Sequence, residues 1–231
     1  MAKTIRFCFS RGSELKYLSH LDVLRVFERA LKRSQIPVDY SEGFNPRMKL
    51  VFGLPMSTGL TSEAEYADIT LERDMNCEDF ISILNNNMPQ GIKIHKAVEL
   101  SIRDNIMNQI KAALYSICIE TKKDEDKVNG VIDEILSQDE LSVMKKTKRG
   151  LRSVNIRPLI YSLNIEKKDN NIIEIKALLS AGAEKNLRAD LLMEAFVEKC
   201  DFDVNILSIH RKALYTSALN EWKNPLEVVN G

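Results

Sequence analysis

Apolar and polar residues alternate over Ile5–Ser10 (IRFCFS), the period of two that marks a strand. Further on the spacing changes: Leu21, Leu24, Phe27, Ala30 and Leu31 recur at three and four, which predicts a helix. Ser19 stands at its N-cap, and Asp22 follows three residues later, where a carboxylate reaches back to a free amide. The helix stops before Pro37, because a residue preceding proline is pushed out of the helical region. PVDYS and MKLVFGLP read as short strands and AEYADITLE as a longer one. Cys77 to Asn87 reads as a second helix, ended by the Asn run and Pro89-Gln90-Gly91, and IKIHKAVEL closes the set as a strand.

A second round follows the polar segment Ser101 to Gln109. Leu114 to Glu120 is a strand, and Asp126 to Ser137 a helix with Val128, Val131, Ile132 and Ile135 on one side. Leu141 to Met144 starts another strand, a basic loop intervenes, and IRPLIYSLNIE with NIIEIKALLS forms a hairpin around Lys167 to Asn170. Leu187 to Lys199 is a helix and VNILSIHRKALY a last strand. The two rounds share one plan. The expected fold class is α+β: two tandem ferredoxin-like units, each an antiparallel sheet with helices on one face. Their expected extents are residues 1–100, with the SHLD and GFNPR motifs, and residues 110–231, with the basic loop. Pairing of strands across the halves into one sheet is the alternative.

With 231 residues, 44% apolar and 29% charged, the chain can bury one large core or two smaller ones. Lysines plus arginines equal the acidic residues, so no global field draws the molecule to nucleic acid or an anionic membrane. Any electrostatic partner has to meet a local patch. No apolar run approaches the roughly 20 residues that span a bilayer, and the start MAKTIRFCFSRG lacks a signal peptide's long apolar region. A cytoplasmic location is expected. Cys8, Cys77, Cys118 and Cys200 are far apart and suit reduced structural thiols, with no spacing for zinc or an iron-sulfur cluster. The chain also lacks the phosphate-loop, dinucleotide, esterase and zincin signatures, so no metal or cofactor is expected in it.

Three groups of residues carry candidate chemistry. Met1 to Leu60 holds ten Lys and Arg against five Asp and Glu, and Arg25, Arg29, Lys32 and Arg33 form a stripe on the first helix. With Arg47 and Lys49 they read either as a phosphate-binding surface or as a solvated face paired to the acidic residues that follow. Within SEGFNPRMKLVFGLP, Gly43 permits a positive φ, Asn45 can close an Asx-turn and Pro46 stiffens the exit. Phe44 is then either a core plug or a platform on which a base stacks, and its neighbours Arg47 and Lys49 suit RNA. The run from Lys145 to Arg157 has six cations (Lys145, Lys146, Lys148, Arg149, Arg152, Arg157) and no carboxylate, so it needs solvent or an anion to screen it. The third group is polar, with His20, Asp22 and Asp68 as candidate catalytic residues. The helix dipole disfavours the cationic form of His20, leaving an imidazole able to act as acid or base.

KYLSHLDVLRVFERALKRSQIPVDYSEGFNPRMKLVFGLPMSTGLTSEAEYADITL, Lys16 to Leu71, resembles the radical SAM-linked protein family of bacteria, and RGLRSVNIRPLIYSL and RKALY resemble its distal motifs. The resemblance implies a partner: a radical SAM protein that carries the iron-sulfur cluster and S-adenosylmethionine. It supplies no catalytic residues for this chain. The resulting expectation is a non-catalytic companion of a radical SAM enzyme that binds or presents a phosphate-rich substrate, RNA before others. The alternatives are a stand-alone enzyme that uses His20 and Arg47 on an anionic substrate, and a pure protein-interaction scaffold.

Overall fold

The computed structural model describes residues 3–101, 105–147, 150–218 and 221–227, with the side chains of residues 145–147 and 218 outside the description. The chain is α+β, with mostly antiparallel strands and few helices, and its contacts divide it into two compact units. The first takes in Met1–Lys111 together with Arg211–Gly231, and the second Ala112–His210.

The first unit runs β1 (Lys3–Arg11), α1 (His20–Ser34), β2 (Leu50–Phe52), β3 (Thr61–Leu71), α2 (Cys77–Asn85), β4 (Ile92–Glu99) and the one-turn α3 (Ile106–Gln109). β1 lies between β4 and β3, antiparallel to both, and β2 pairs with the far edge of β3. Alternate residues of β1 point one way: Ile5, Phe7 and Phe9 are buried with Phe27 and Leu31 of α1 and Phe80 and Leu84 of α2. The rings interlock, with centroids 4.9 Å apart for Phe9 and Phe27 and 5.4 Å for Phe7 and Phe80. Pairs of this kind add about 0.5–1.5 kcal/mol beyond the area they bury.

The second unit runs β5 (Ile110–Glu120), α4 (Glu125–Ser137), β6 (Ser142–Thr147), β7 (Gly150–Asn155), β8 (Ile160–Asp169), β9 (Ile172–Ser180) and α5 (Ala189–Lys199). β10 (Asn205–Ala218) follows and is shared, Asn205–His210 belonging to this unit and the remainder to the first, where β11 (Glu221–Lys223) pairs with it. The sheet order is β10-β5-β9-β8. Setting aside the β6–β7 hairpin, the two units therefore match in element order, and their strand orders, β4-β1-β3-β2 and β10-β5-β9-β8, correspond.

Three segments differ from the sequence expectation. PVDYS makes only isolated bridges, Val38 with Leu71 and Tyr40 with Met48, and MKLVFGLP contributes the three residues of β2. The edge of β3 that β2 uses also has to receive β10, so no room remains for a long partner. The segment around Lys145 is no loop: β6 continues through it and pairs with β7, Lys145 facing Arg152 in the register. Residues 211–231 join the first unit rather than the second, because β10 runs on past the second unit to pair beside β3.

Candidate functional site

The start of α1 is built as its sequence implies. The Asp22 amide donates to Ser19 Oγ at 3.2 Å and the Ser19 amide to Asp22 Oδ2 at 3.3 Å, a reciprocal cap. The Ser19 hydroxyl donates to Asp22 Oδ2 at 2.6 Å and Arg25 Nη1 to Asp22 Oδ1 at 3.0 Å, and the Ser19 hydroxyl above all, with the Ser19 amide and Arg25, holds the Asp22 carboxyl below the usual carboxylate range. His20 packs edge-on against Phe52, centroids 5.5 Å apart. Burial is the main cause that lowers its pKa, with Arg11 nearby adding to the effect and Glu65 opposing it. The direction agrees with the helix-dipole expectation, but desolvation is what produces it.

The candidate catalytic residues do not meet. Asp22 is occupied by the cap and Arg25. Asp68 is buried in an ion pair with Arg6, on the sheet face opposite to Ala67 and Ile69, which belong to the core that His20 borders through Phe52.

The cations of the first unit divide into paired and unpaired. Arg25 is tied to Asp22, Lys49 to Asp39 at 2.6 Å, and Arg33 donates to the Asn87 carbonyl at 2.5 Å. Arg29, Lys32 and Arg47 are exposed, and their side chains have no carboxylate partner among the described residues. Arg47 closes a tip: the Ser41 amide donates to the Arg47 carbonyl at 2.8 Å and the Arg47 amide to Ser41 Oγ at 3.0 Å. At its apex Phe44 is fully solvent-exposed and Asn45 is exposed, so Phe44 does not plug the core.

In the second unit the basic run occupies the β6–β7 hairpin, which stands as a two-stranded sheet of its own. Arg152 is exposed, as are Met144 and Leu151. Lys148 and Arg149 lie outside the described residues, as do the side chains of Lys145 and Lys146. Arg157 is drawn inward: Nε and Nη2 donate to the Leu136 carbonyl at 3.1 and 2.7 Å, and Nη1 to the Ile160 carbonyl at 3.1 Å. It caps the end of α4 and is half-buried.

Sequence reading missed a set of buried charges in the first unit. Arg6, 1% exposed, grips Asp68 with Nε and Nη2 at 2.7 and 2.9 Å, and Nη1 donates to Gln109 and the Pro225 carbonyl. Arg211, 2% exposed, holds both oxygens of Glu65 from Nη1 at 2.8 and 3.0 Å. Arg11 donates to the carbonyls of Leu15, Lys16 and Leu18, fixing the segment that leads into α1. Burial pushes the Cys8 thiol up to about 11, and Tyr66 beside it is raised as well, again chiefly by burial. The signal available in the sequence was Arg11, in step with Ile5, Phe7 and Phe9 along the strand pattern, since an arginine at an inward position demands a buried partner; Arg6 alternates with them and gave no such signal.

Among the described residues no cluster of three or more His, Cys, Asp and Glu could hold a metal ion, and no helix is long and apolar enough to cross a membrane. The four cysteines are free thiols.

Solved structures similar to this chain include a Cbf5-Nop10-Gar1 complex, at 11% identity and a TM-score of 0.49, covering 92% of this chain and 48% of that one. A second is an H/ACA RNP bound to a substrate RNA containing 2'-deoxyuridine, at 11% identity and a TM-score of 0.48, covering 90% and 46%. An unknown protein from Galdieria sulphuraria matches at 10% and 0.27, covering 89% and 98%. The chain spans about half the length of the first two, and likeness at this level does not speak to what it binds. No curated protein matches the sequence. The family described as "Uncharacterized protein conserved in bacteria (DUF2344)" matches residues 4–189, a span that takes in the reciprocal cap of α1, the exposed tip and the basic hairpin, and the chain belongs to that family.

Proposed function

We propose that this chain is a non-catalytic binder of a phosphate-rich substrate, RNA, held through cations that its own carboxylates leave unpaired. One observation carries the reading. In each unit the connection from the first helix to the next strand of the main sheet holds an exposed arginine with no carboxylate partner among the described residues: Arg47 at the tip in the first, Arg152 on the hairpin in the second. The register of that hairpin sets Lys145 opposite Arg152. The chain has no net charge, so these cations act as local features and not as part of a general basic field. Two finer parts of the reading rest on less. The description of both units as ferredoxin-like is supported by their corresponding element and strand orders. The companion role, presenting RNA to a radical SAM partner, is supported by the resemblance of the SHLD and GFNPR motifs alone.

Filter binding of tRNA and rRNA fragments over a series of salt concentrations tests the reading. Log K falls linearly with log salt, and the triple variant Arg29→Gln, Lys32→Gln, Arg152→Gln lowers the slope by about 2 to 3, close to one per lost phosphate contact. Undetectable binding at low salt removes the RNA reading.

A further inference from the structure

The tip spanning residues 41–47 is anchored like a rigid post. Below the Ser41 and Arg47 rung, the Lys49 amide donates to the Asp39 carbonyl at 2.9 Å and Lys49 Nζ meets Asp39 Oδ2 at 2.6 Å. The Asp39 amide donates to the Thr70 carbonyl at 2.9 Å, and the Thr70 amide to the Lys49 carbonyl at 3.0 Å, so the stem is rooted on β3. At the apex Gly43 has φ +117, and nothing lies within 4 Å of where its side chain would start. Phe44 is held out in water on this post, forgoing the stabilisation of about 1.5–3 kcal/mol that burial of a phenyl ring brings.

Resting on the RNA reading above, we infer that Phe44 is the stacking platform for one unpaired base of a single-stranded or looped RNA, with Arg47 taking the adjacent phosphate. The chemistry of the tip selects this occupant. Between Ser41 and Arg47 the only large apolar side chain is Phe44, too little for the ring of surrounding contacts that a protein hot spot requires. A single aromatic beside a cation is what gripping a base and its phosphate takes, because every base has a face to stack and every nucleotide a charge to meet. Duplex RNA offers no such face, its bases being already stacked. Glu42 on the opposite limb is exposed and repels phosphate, so the strand runs along the Arg47 limb, where exposed Asn45 can reach a base edge.

The test uses the full chain with a 12-nucleotide single-stranded RNA containing 2-aminopurine and a 12-base-pair RNA duplex. Binding quenches the 2-aminopurine, and the single strand binds tighter than the duplex. Phe44→Ala weakens the single strand about 5- to 150-fold and leaves the duplex unchanged, Phe44→Tyr retains affinity, and Glu42→Gln tightens the single strand. Since Phe44 packs against nothing, the variants fold as the parent does. Single-strand binding that Phe44→Ala leaves untouched overturns the platform and keeps the RNA reading. Failure of both RNAs to bind the parent removes the RNA reading and the platform together. A protein partner lost in Phe44→Ala while RNA binding stays constant also overturns it, making the tip a protein contact.

Discussion

His20 sits where burial and the Arg11 guanidinium both oppose a positive charge on its ring. Its pKa in the folded chain is therefore below the value of about 6.5 that it has when unfolded. The unfolded chain binds the proton more readily, so stability is greatest above pH 6.5 and declines as the pH falls from there through the folded-state pKa. His95 on β4 is exposed, but partial desolvation, with Lys93 adding to it, lowers it too, and it acts in the same direction. Melting temperatures measured at pH 7.5 and 5.5 are expected to drop for the parent, with a smaller drop for His20→Gln. An equal drop in both shows that His20 does not contribute. None of this needs His20 to be catalytic: Asp22 is engaged by the cap and Arg25 and Asp68 by Arg6, and His20 is the wall of a core and the first residue of a helix.

At the scale of elements, α1 shows how much the sequence can reveal. Its cap, its stop near Pro37 and most of its apolar face are local features that can be read from neighbouring residues, although Leu21, expected on that face, is exposed and Val23 is buried in its place. Ser19→Ala removes the acceptor for the Asp22 amide and is expected to cost about 1 kcal/mol, seen as a lower denaturant midpoint with an unchanged m value. Ser19→Thr, which keeps a hydroxyl that accepts from the Asp22 amide and donates to the Asp22 carboxylate, is expected to recover most of that loss. The basic hairpin was less legible. Its cations looked like a loop because lysine and arginine carry little strand preference, and the pairing of β6 with β7 depends on cross-strand partners that a composition cannot show. The candidate site follows the same division. That Gly43 to Arg47 form a turn was readable, but whether Phe44 points into the core depended on the packing beneath it. Outer strands reveal a further element-scale feature: β4 presents exposed Lys93, His95 and Lys96, and β8 carries two bulges with exposed Lys167 and Lys168. Both devices discourage pairing with another chain.

The least legible feature belongs to the whole molecule, because it joins residues far apart in sequence. Glu65 looked like one more member of an acidic surface patch, yet it is buried and held by Arg211, 146 residues away. No periodicity reports a partner at that distance, and only the path of β10 brings it there. The consequence is a first unit that cannot be completed by its own contiguous residues. A fragment of residues 1–111 keeps the aromatic core but leaves Glu65 without its guanidinium and deprives Arg6 of the Pro225 carbonyl. Removing one partner of a buried pair costs about 3–5 kcal/mol, a large share of the 5–15 kcal/mol that holds a domain together. Residues 112–210, by contrast, contain most of β5, all of α4, β8, β9 and α5, and the first part of β10. The expected outcome is a cooperative thermal transition by circular dichroism for the 112–210 fragment and none for the 1–111 fragment. Adding Glu65→Gln to the 1–111 fragment removes the stranded charge and is expected to restore part of its structure. If the 1–111 fragment melts cooperatively without that change, the returning strand is dispensable and the buried pair is not what closes the unit.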